Sequence, residues 1–209
     1  MTITSIEQIS RRQNRVCVDG EPAFTISDKG LRDLGISISE GKELSEEDSS
    51  ALMKEAERLA AKCAMDHLVR RDYSEEELYQ LLIRKGFSPQ LACQGIAYVD
   101  SYGYLDDERY ARQYISSKKG TVSRMKLIYA LRKKGVSDDI TESVLAEEGW
   151  DDTEGARHMI LKKYRPQNMP AKGSRDYQKL CRSLISRGYS FGSIRSAYDS
   201  ILADEDEEI

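Results

Sequence analysis

A seven-residue pattern that occurs three times limits the folds open to this chain. Leu82-Ile83-Arg84-Lys85-Gly86-Phe87-Ser88, Leu131-Arg132-Lys133-Lys134-Gly135-Val136-Ser137 and Leu184-Ile185-Ser186-Arg187-Gly188-Tyr189-Ser190 each run from a leucine through a basic residue and a glycine to an apolar residue and a serine. The glycines are 49 and 53 residues apart, and each has a leucine eight positions earlier, at Leu78, Leu127 and Leu180. Glycine adopts the left-handed conformation that ends a helix, the apolar residue after it can pack back on the leucine at the third-last helical position, and serine caps the next helix. Lys85, Lys134 and Arg187 suit the negative end of the helix dipole. The pattern reads as a helix-to-helix corner, and its recurrence predicts a tandem helical repeat.

A second register runs in phase with the corners. Ala64, His67 and Leu68 align with Ala111, Tyr114 and Ile115, and again with Ala156, Met159 and Ile160. His67 thus falls where the other copies place tyrosine and methionine, which makes it a packed or hydrogen-bonded residue rather than a ligand. The copies are linked by a joint, Gly103-Tyr104-Leu105-Asp106-Asp107-Glu108-Arg109-Tyr110-Ala111, with a looser version at Gly149-Trp150-Asp151-Asp152-Thr153-Glu154-Gly155-Ala156. Helix stop, aromatic turn and acidic helix start follow one another there, so Asp106 and Asp107 are read as helix-start residues rather than as Mg²⁺ ligands.

Together the two registers predict three helices per unit: about 53–72, 74–85 and 88–101; 106–118, 121–134 and 137–147; 152–164, 174–187 and 190–202. The third unit carries the longest first loop, 165–173, whose prolines and glycine exclude a helix. Ahead of the repeats, Ile3 to Ile9 alternates roughly, and Arg15–Val18 and Ala23–Ile26 flank Asp19-Gly20-Glu21-Pro22, a hairpin signal. Ser27 is placed to cap a short helix ended by Gly35, and Ser45 to cap a longer one with Glu46, Glu47 and Asp48 in its first turn. A hairpin this small is marginal alone and is expected to pack on something else or serve as a docking edge. The expected architecture is mainly α: an elongated array of three three-helix repeats at 53–104, 105–150 and 151–203, with a β-hairpin extension and linker over 1–52 and an acidic tail over 204–209.

Charge is unevenly spread along the 209 residues. The net charge is −4, yet residues 1–54 carry −3 and Asp204-Glu205-Asp206-Glu207-Glu208 another −5, which leaves a body of +4 over residues 55–203. The acidic end is expected to stay solvated and disordered. Cys17, Cys63, Cys93 and Cys181 are scattered and form no C-x-x-C pair, and His67 and His158 are the only histidines, so neither a zinc site nor another metal or cofactor is expected. They read as small buried residues of a reducing compartment. No apolar run is long enough to span a membrane and the start lacks the regions of a signal peptide, which makes the cytoplasm the expected location. Phosphate-binding, dinucleotide, zinc-protease and serine-hydrolase motifs are absent, so no enzyme is expected.

What remains for function is surface. Basic residues recur at Arg70 and Arg71, Arg84 and Lys85, Lys118 and Lys119, Arg132, Lys133 and Lys134, Lys162 and Lys163, and Arg182 and Arg187, with Tyr73, Tyr79, Tyr114, Tyr129, Tyr164 and Tyr177 among them. Such a set suits phosphates or an acidic protein groove. Gly86, Gly135 and Gly188, with Gly103, Tyr104, Asp106, Asp107 and Tyr110, are expected to have structural tasks.

The joint, flanked by Lys85-Gly86-Phe87 and Lys133-Lys134-Gly135-Val136, resembles the bacterial RecX family of regulatory proteins from about Ala56 to Ile201. The resemblance implies a non-enzymatic modulator built of three-helix repeats that lies along the groove of the RecA–DNA filament and, as most members do, inhibits strand exchange, ATPase and coprotease activities in DNA repair and the SOS response; a monomer is expected. Where members of that family commonly place basic residues after the serine that follows the first helix of unit one, this chain has Glu75-Glu76-Glu77. Two other readings stand beside this one: a stand-alone protein that binds single- or double-stranded DNA directly, and a general protein-interaction scaffold.

Overall fold

A computed structural model describes residues 1–35, 40, 41 and 43–207, with the backbone alone for 205–207. The chain forms two compact units, Met1–Asp106 and Asp107–Ile209. The linker expected before the first repeat falls partly outside the described residues.

The first unit opens with three strands, β1 (Ile3–Ser10), β2 (Gln13–Val18) and β3 (Glu21–Ser27), antiparallel in that order. The hairpin expected from Asp19-Gly20 is there, and both residues are left-handed (φ +50° and +91°), as the tight turn requires. The alternating stretch from Ile3 pairs as a third strand, so the extension is a three-stranded sheet rather than a lone hairpin. The helices are α1 (Asp28–Asp33), α2 (Glu46–Leu68), α3 (Glu75–Arg84) and α4 (Pro89–Asp100). Ser45 caps α2 by accepting the Asp48 amide at 3.0 Å. The first helix of the repeat therefore starts at Glu46, not near 53, and ends at Leu68, not near 72. Ile3, Val16, Phe24 and Ile26 of the sheet share one core with Leu52, Ala56, Leu78, Leu82 and Leu91 of the helices. Fully burying a leucine or isoleucine stabilises by about 1.5–3 kcal/mol, a contribution that a three-stranded sheet alone lacks a partner to collect.

The second unit holds α5 (Asp107–Ser116), α6 (Arg124–Arg132), α7 (Asp138–Glu147), α8 (Asp152–Leu161), α9 (Arg175–Ile185) and α10 (Phe191–Glu207). Two apolar clusters form: Ala111, Ile115, Leu127, Leu131 and Leu145 in the first three helices, and Ala156, Ile160, Leu180, Leu184 and Tyr198 in the last three. Asp152 ties them by accepting the Arg124 amide at 2.7 Å and the Trp150 indole at 3.0 Å. The long loop carries a single 3-10 turn, Pro166–Asn168, and the Tyr198 hydroxyl donates to the Pro170 carbonyl. The acidic end departs from expectation. α10 continues to Glu207, with Asp204 paired to Arg157 at 2.5 Å, while residues 208 and 209 lie outside the described residues.

All three corners share the expected geometry. Gly86, Gly135 and Gly188 have φ of +90°, +83° and +89°. Their amides bond to the carbonyls of Ile83, Arg132 and Ile185, and the next amides, of Phe87, Val136 and Tyr189, to those of Leu82, Leu131 and Leu184. This double closure satisfies helix-end carbonyls and turns the apolar residue onto its leucine. Ser88, Ser137 and Ser190 then accept the amides of Leu91, Ile140 and Ser193. The joints close in the same way, Tyr104 onto Val99 and Trp150 onto Leu145, behind Gly103 (φ +69°) and Gly149 (φ +57°).

Candidate partner-binding surfaces

The basic residues singled out by spacing fall into different surroundings. In the first unit Arg70, after the end of α2, and Lys85, before the first corner glycine, line one cavity of about 380 Å³ with Lys62. Arg71 is otherwise engaged: its guanidinium lies 3.5 Å over the Tyr73 ring and 3.1 Å from the Glu77 carboxylate. Arg84 is exposed at the end of α3.

In the second unit, Lys118 and Lys134 converge on Tyr114, at 5.8 and 5.5 Å from its ring, and Lys134 is also 5.6 Å from the ring of Tyr110. Cations over tyrosine faces are held by the ring quadrupole without losing their charge. Tyr110 itself is core. Lys119 is exposed nearby in sequence, Lys162 follows the end of α8, and Lys163 stands 5.3 Å over Tyr164.

The middle corner combines cations with exposed apolar side chains. Lys133 lies 5.1 Å over the Tyr129 ring, and Arg132 grips Asp138 through two hydrogen bonds of 3.0 and 2.5 Å. That grip holds the Asp138 carboxyl below its ordinary range and raises the guanidinium. Arg132 and Tyr129 border a groove of about 490 Å³ whose apolar lining includes Met125 and Ile185, exposed by 66% and 50%, and whose far edge is the third corner at Gly188. Arg187 is exposed next to it and bonds Ser183 at 3.2 Å. Sequence reasoning missed Met125 and Ile185. Met125 and Tyr129 stand four residues apart on the side of α6 opposite Leu127 and Leu131, so an apolar pair off the core stripe was the available signal.

α5 starts at Asp107, and Tyr104 stacks at 6.1 Å on Tyr102, which lies 5.1 Å from Tyr98. Among the described residues no cluster of three or more His, Cys, Asp or Glu side chains could hold a metal ion, and no helix is long and apolar enough to cross a membrane. Of the cysteines, Cys17 and Cys181 are buried as expected, whereas Cys93 is exposed.

Comparison with known proteins decides the family. The model of the RecX second three-helix domain matches residues 106–145, which is α5 to α7 except for the last residues. The regulatory protein RecX of Clostridium perfringens is 33% identical over 199 residues, covering 93% of each chain. The chain belongs to the RecX family of regulatory proteins. RecX of Vibrio vulnificus is 36% identical over 143 residues, covering 68% of this chain and 90% of that relative. A crystal structure of a RecX regulatory protein matches 95% of this chain and 98% of its own with a TM-score of 0.64 at 21% identity. RecX from Lactobacillus salivarius matches 74% of this chain and 99% of its own with a TM-score of 0.56 at 18% identity. Both share the fold.

Proposed function

We propose that this protein is a cytoplasmic, non-catalytic regulator that binds the RecA–DNA filament and inhibits its recombinase, ATPase and coprotease activities in DNA repair and the SOS response. The observation that carries the reading is the 33% identity to a RecX regulatory protein over 93% of both chains. The middle corner supports it: an exposed methionine, tyrosine and isoleucine bordered by Arg124 and Arg132, with Asp152 in the same lining and Lys133 over the Tyr129 ring, have the mixed aromatic, apolar and basic composition of a protein interface. The test is ATP hydrolysis by the host's RecA on single-stranded DNA with increasing amounts of this protein, alongside co-sedimentation with the filament. A falling rate and co-sedimentation are expected, and an unchanged rate without co-sedimentation would sink the reading.

Replacing Arg132, Lys133 and Lys134 together by glutamate should leave helicity intact and weaken filament binding by at least tenfold, a loss on the order of 1.4 kcal/mol. Unchanged binding would remove the middle corner from the interface. A second reading, direct DNA binding, is favoured by the paired Lys118 and Lys134 around Tyr114. It requires an affinity for naked DNA that falls steeply with salt.

A further inference from the structure

Lys62, Arg70 and Lys85 reach the same cavity from three places: the middle of α2, the turn beyond its end, and the last residue before the first corner glycine. Asp66 is the acid in the lining, so three cations face one carboxylate and the cavity carries a net +2. Among the described residues none of the three cations forms an ion pair, in contrast to Arg58 and Arg71 nearby, which pair with Glu55 and Glu77. Three like charges left around one concave space repel one another, and an anion placed between them removes that cost.

The opposite wall is the sheet, which contributes Gln13 and Ser27. It is fastened to the corner that carries Lys85: Thr25 Oγ1 donates to the Lys85 carbonyl at 3.0 Å and the Ser88 amide to the Ala23 carbonyl at 2.7 Å. The Gln13 amide is a donor, and Ser27, whose oxygen accepts the Gly30 amide at 3.0 Å, keeps its own hydroxyl proton to give. His67 senses the charge around it. Burial, then Lys85 and Arg70, hold its imidazole below the ordinary value, with Arg71 acting in the same direction and Asp66 against them. Its Nδ1 lies 3.4 Å from the Tyr73 hydroxyl. Burial pushes the adjacent Cys63 thiol up, while Lys85 draws it down and Asp66 adds to the rise.

We propose that this cavity binds a phosphate group, with Lys62, Arg70 and Lys85 as its cationic ligands and Gln13 and Ser27 as neutral donors. Several donors converging from the helices on one side and the sheet on the other match an anion with three or four oxygens better than a single carboxylate. A volume of about 380 Å³ is at the small end of ligand pockets, enough for a phosphorylated small molecule or a nucleic-acid backbone phosphate. The sheet then has a task beyond covering the first repeat: it is one wall of an anion site.

His67 and His158 are the only histidines, so proton NMR of the imidazoles of the full-length protein reads the site directly. Inorganic phosphate, a nucleoside diphosphate and a short single-stranded oligodeoxynucleotide are titrated in turn, with sodium chloride holding ionic strength constant. Saturable movement of the His67 resonances with a rise in its pKa, and none at His158, is the expected result. A bound anion offsets Lys85 and Arg70, so the imidazole keeps its proton to higher pH. Saturation by either small molecule assigns a free ligand, and saturation by the oligonucleotide alone assigns a backbone phosphate. Lys62→Glu and Arg70→Glu, both at exposed positions and checked for fold by circular dichroism, should each weaken binding about tenfold or more, as expected for a lost charge-assisted hydrogen bond. No saturable response to any of the three probes, an equal response to chloride, or undiminished binding by both variants would overturn the proposal. The inference stands apart from the filament reading, because the assay contains no recombinase and its failure leaves that reading intact.

Discussion

The first and third corners have the same local geometry and are held by unlike neighbours. At the first, the Thr25 hydroxyl of a β-strand donates to the Lys85 carbonyl at 3.0 Å. At the third, the hydroxyl of Ser123, the residue that caps α6, donates to the Arg187 carbonyl at 2.7 Å. In both, the bond goes to the carbonyl of the basic residue before the glycine, and in both the glycine faces the donor residue at close range. A strand and a helix start therefore do the same job. The N-terminal sheet covers the first repeat where a preceding repeat covers the third, which is the part a terminal cap plays in a repeat protein.

The largest expected effect tests whether that closeness matters. A Cβ on Gly188 would lie 2.7 Å from Ser123 Oγ and 3.0 Å from Met125 Cβ, and one on Gly86 would lie 2.8 Å from Thr25 Cγ2. Left-handed backbone costs a residue with a Cβ roughly 1–2 kcal/mol, and overpacking adds about 1–3 kcal/mol. Gly188→Ala should then destabilise the second unit by about 2–5 kcal/mol, read from urea unfolding followed by Trp150, the one tryptophan. Gly103 has a similar φ but nothing within 4 Å of its would-be Cβ, so Gly103→Ala should cost only the backbone share, roughly 1–2 kcal/mol. Equal costs at the two sites would show that the third corner yields freely and that its close approach to Ser123 carries no energy.

Ser123→Ala comes next. Ser123 is fully buried, and its oxygen both accepts the Lys126 amide at 3.4 Å and donates to Arg187. Losing two hydrogen bonds at about 1 kcal/mol each predicts about 2 kcal/mol, with Trp150 fluorescence again the probe. Ser123→Thr keeps the hydroxyl and should recover part of that loss. A Ser123→Ala cost no larger than that of an ordinary exposed cap would mean the bond to Arg187 contributes nothing.

The corners were legible because everything that makes them lies within seven consecutive residues: the leucine, the left-handed glycine, the returning apolar side chain and the serine cap. What lay further apart was harder to read. β1 needed its partner Gln13–Val18 before its weak alternation meant anything. The start of α2 was legible in its Ser45 cap and acidic first turn, but the repeat's first helix was bounded late, near 53, because only Leu52 and Ala56 mark its buried face over the first three turns. Helical backbone through the acidic end depends in part on an ion pair between residues 47 positions apart, Arg157 and Asp204. Among the cations the sequence named the residues without their grouping: that Arg70 and Lys85 line one cavity, and that Lys118 and Lys134 share Tyr114, follows from packing. Lys62 was passed over because a lysine in mid-helix has no distinguishing pattern until the sheet comes to face it.

Thr25→Val is the smallest effect and the sharpest test of the comparison. The substitution keeps the branched shape and removes the hydroxyl, so it isolates the strand's bond to the Lys85 carbonyl from the contact with Gly86. That bond is more exposed than the one Ser123 makes, and water can replace the lost donor, which sets the expected cost at about 0.5–1 kcal/mol. Hydrogen exchange of the β2 and β3 amides is the measurement, because a loosened strand should lose protection there before the helices do. If the loss instead matched the 2 kcal/mol expected for Ser123→Ala, the strand would be holding its corner as firmly as a helix start does, and the sheet would have to count as an integral wall of the first repeat rather than a cover on it.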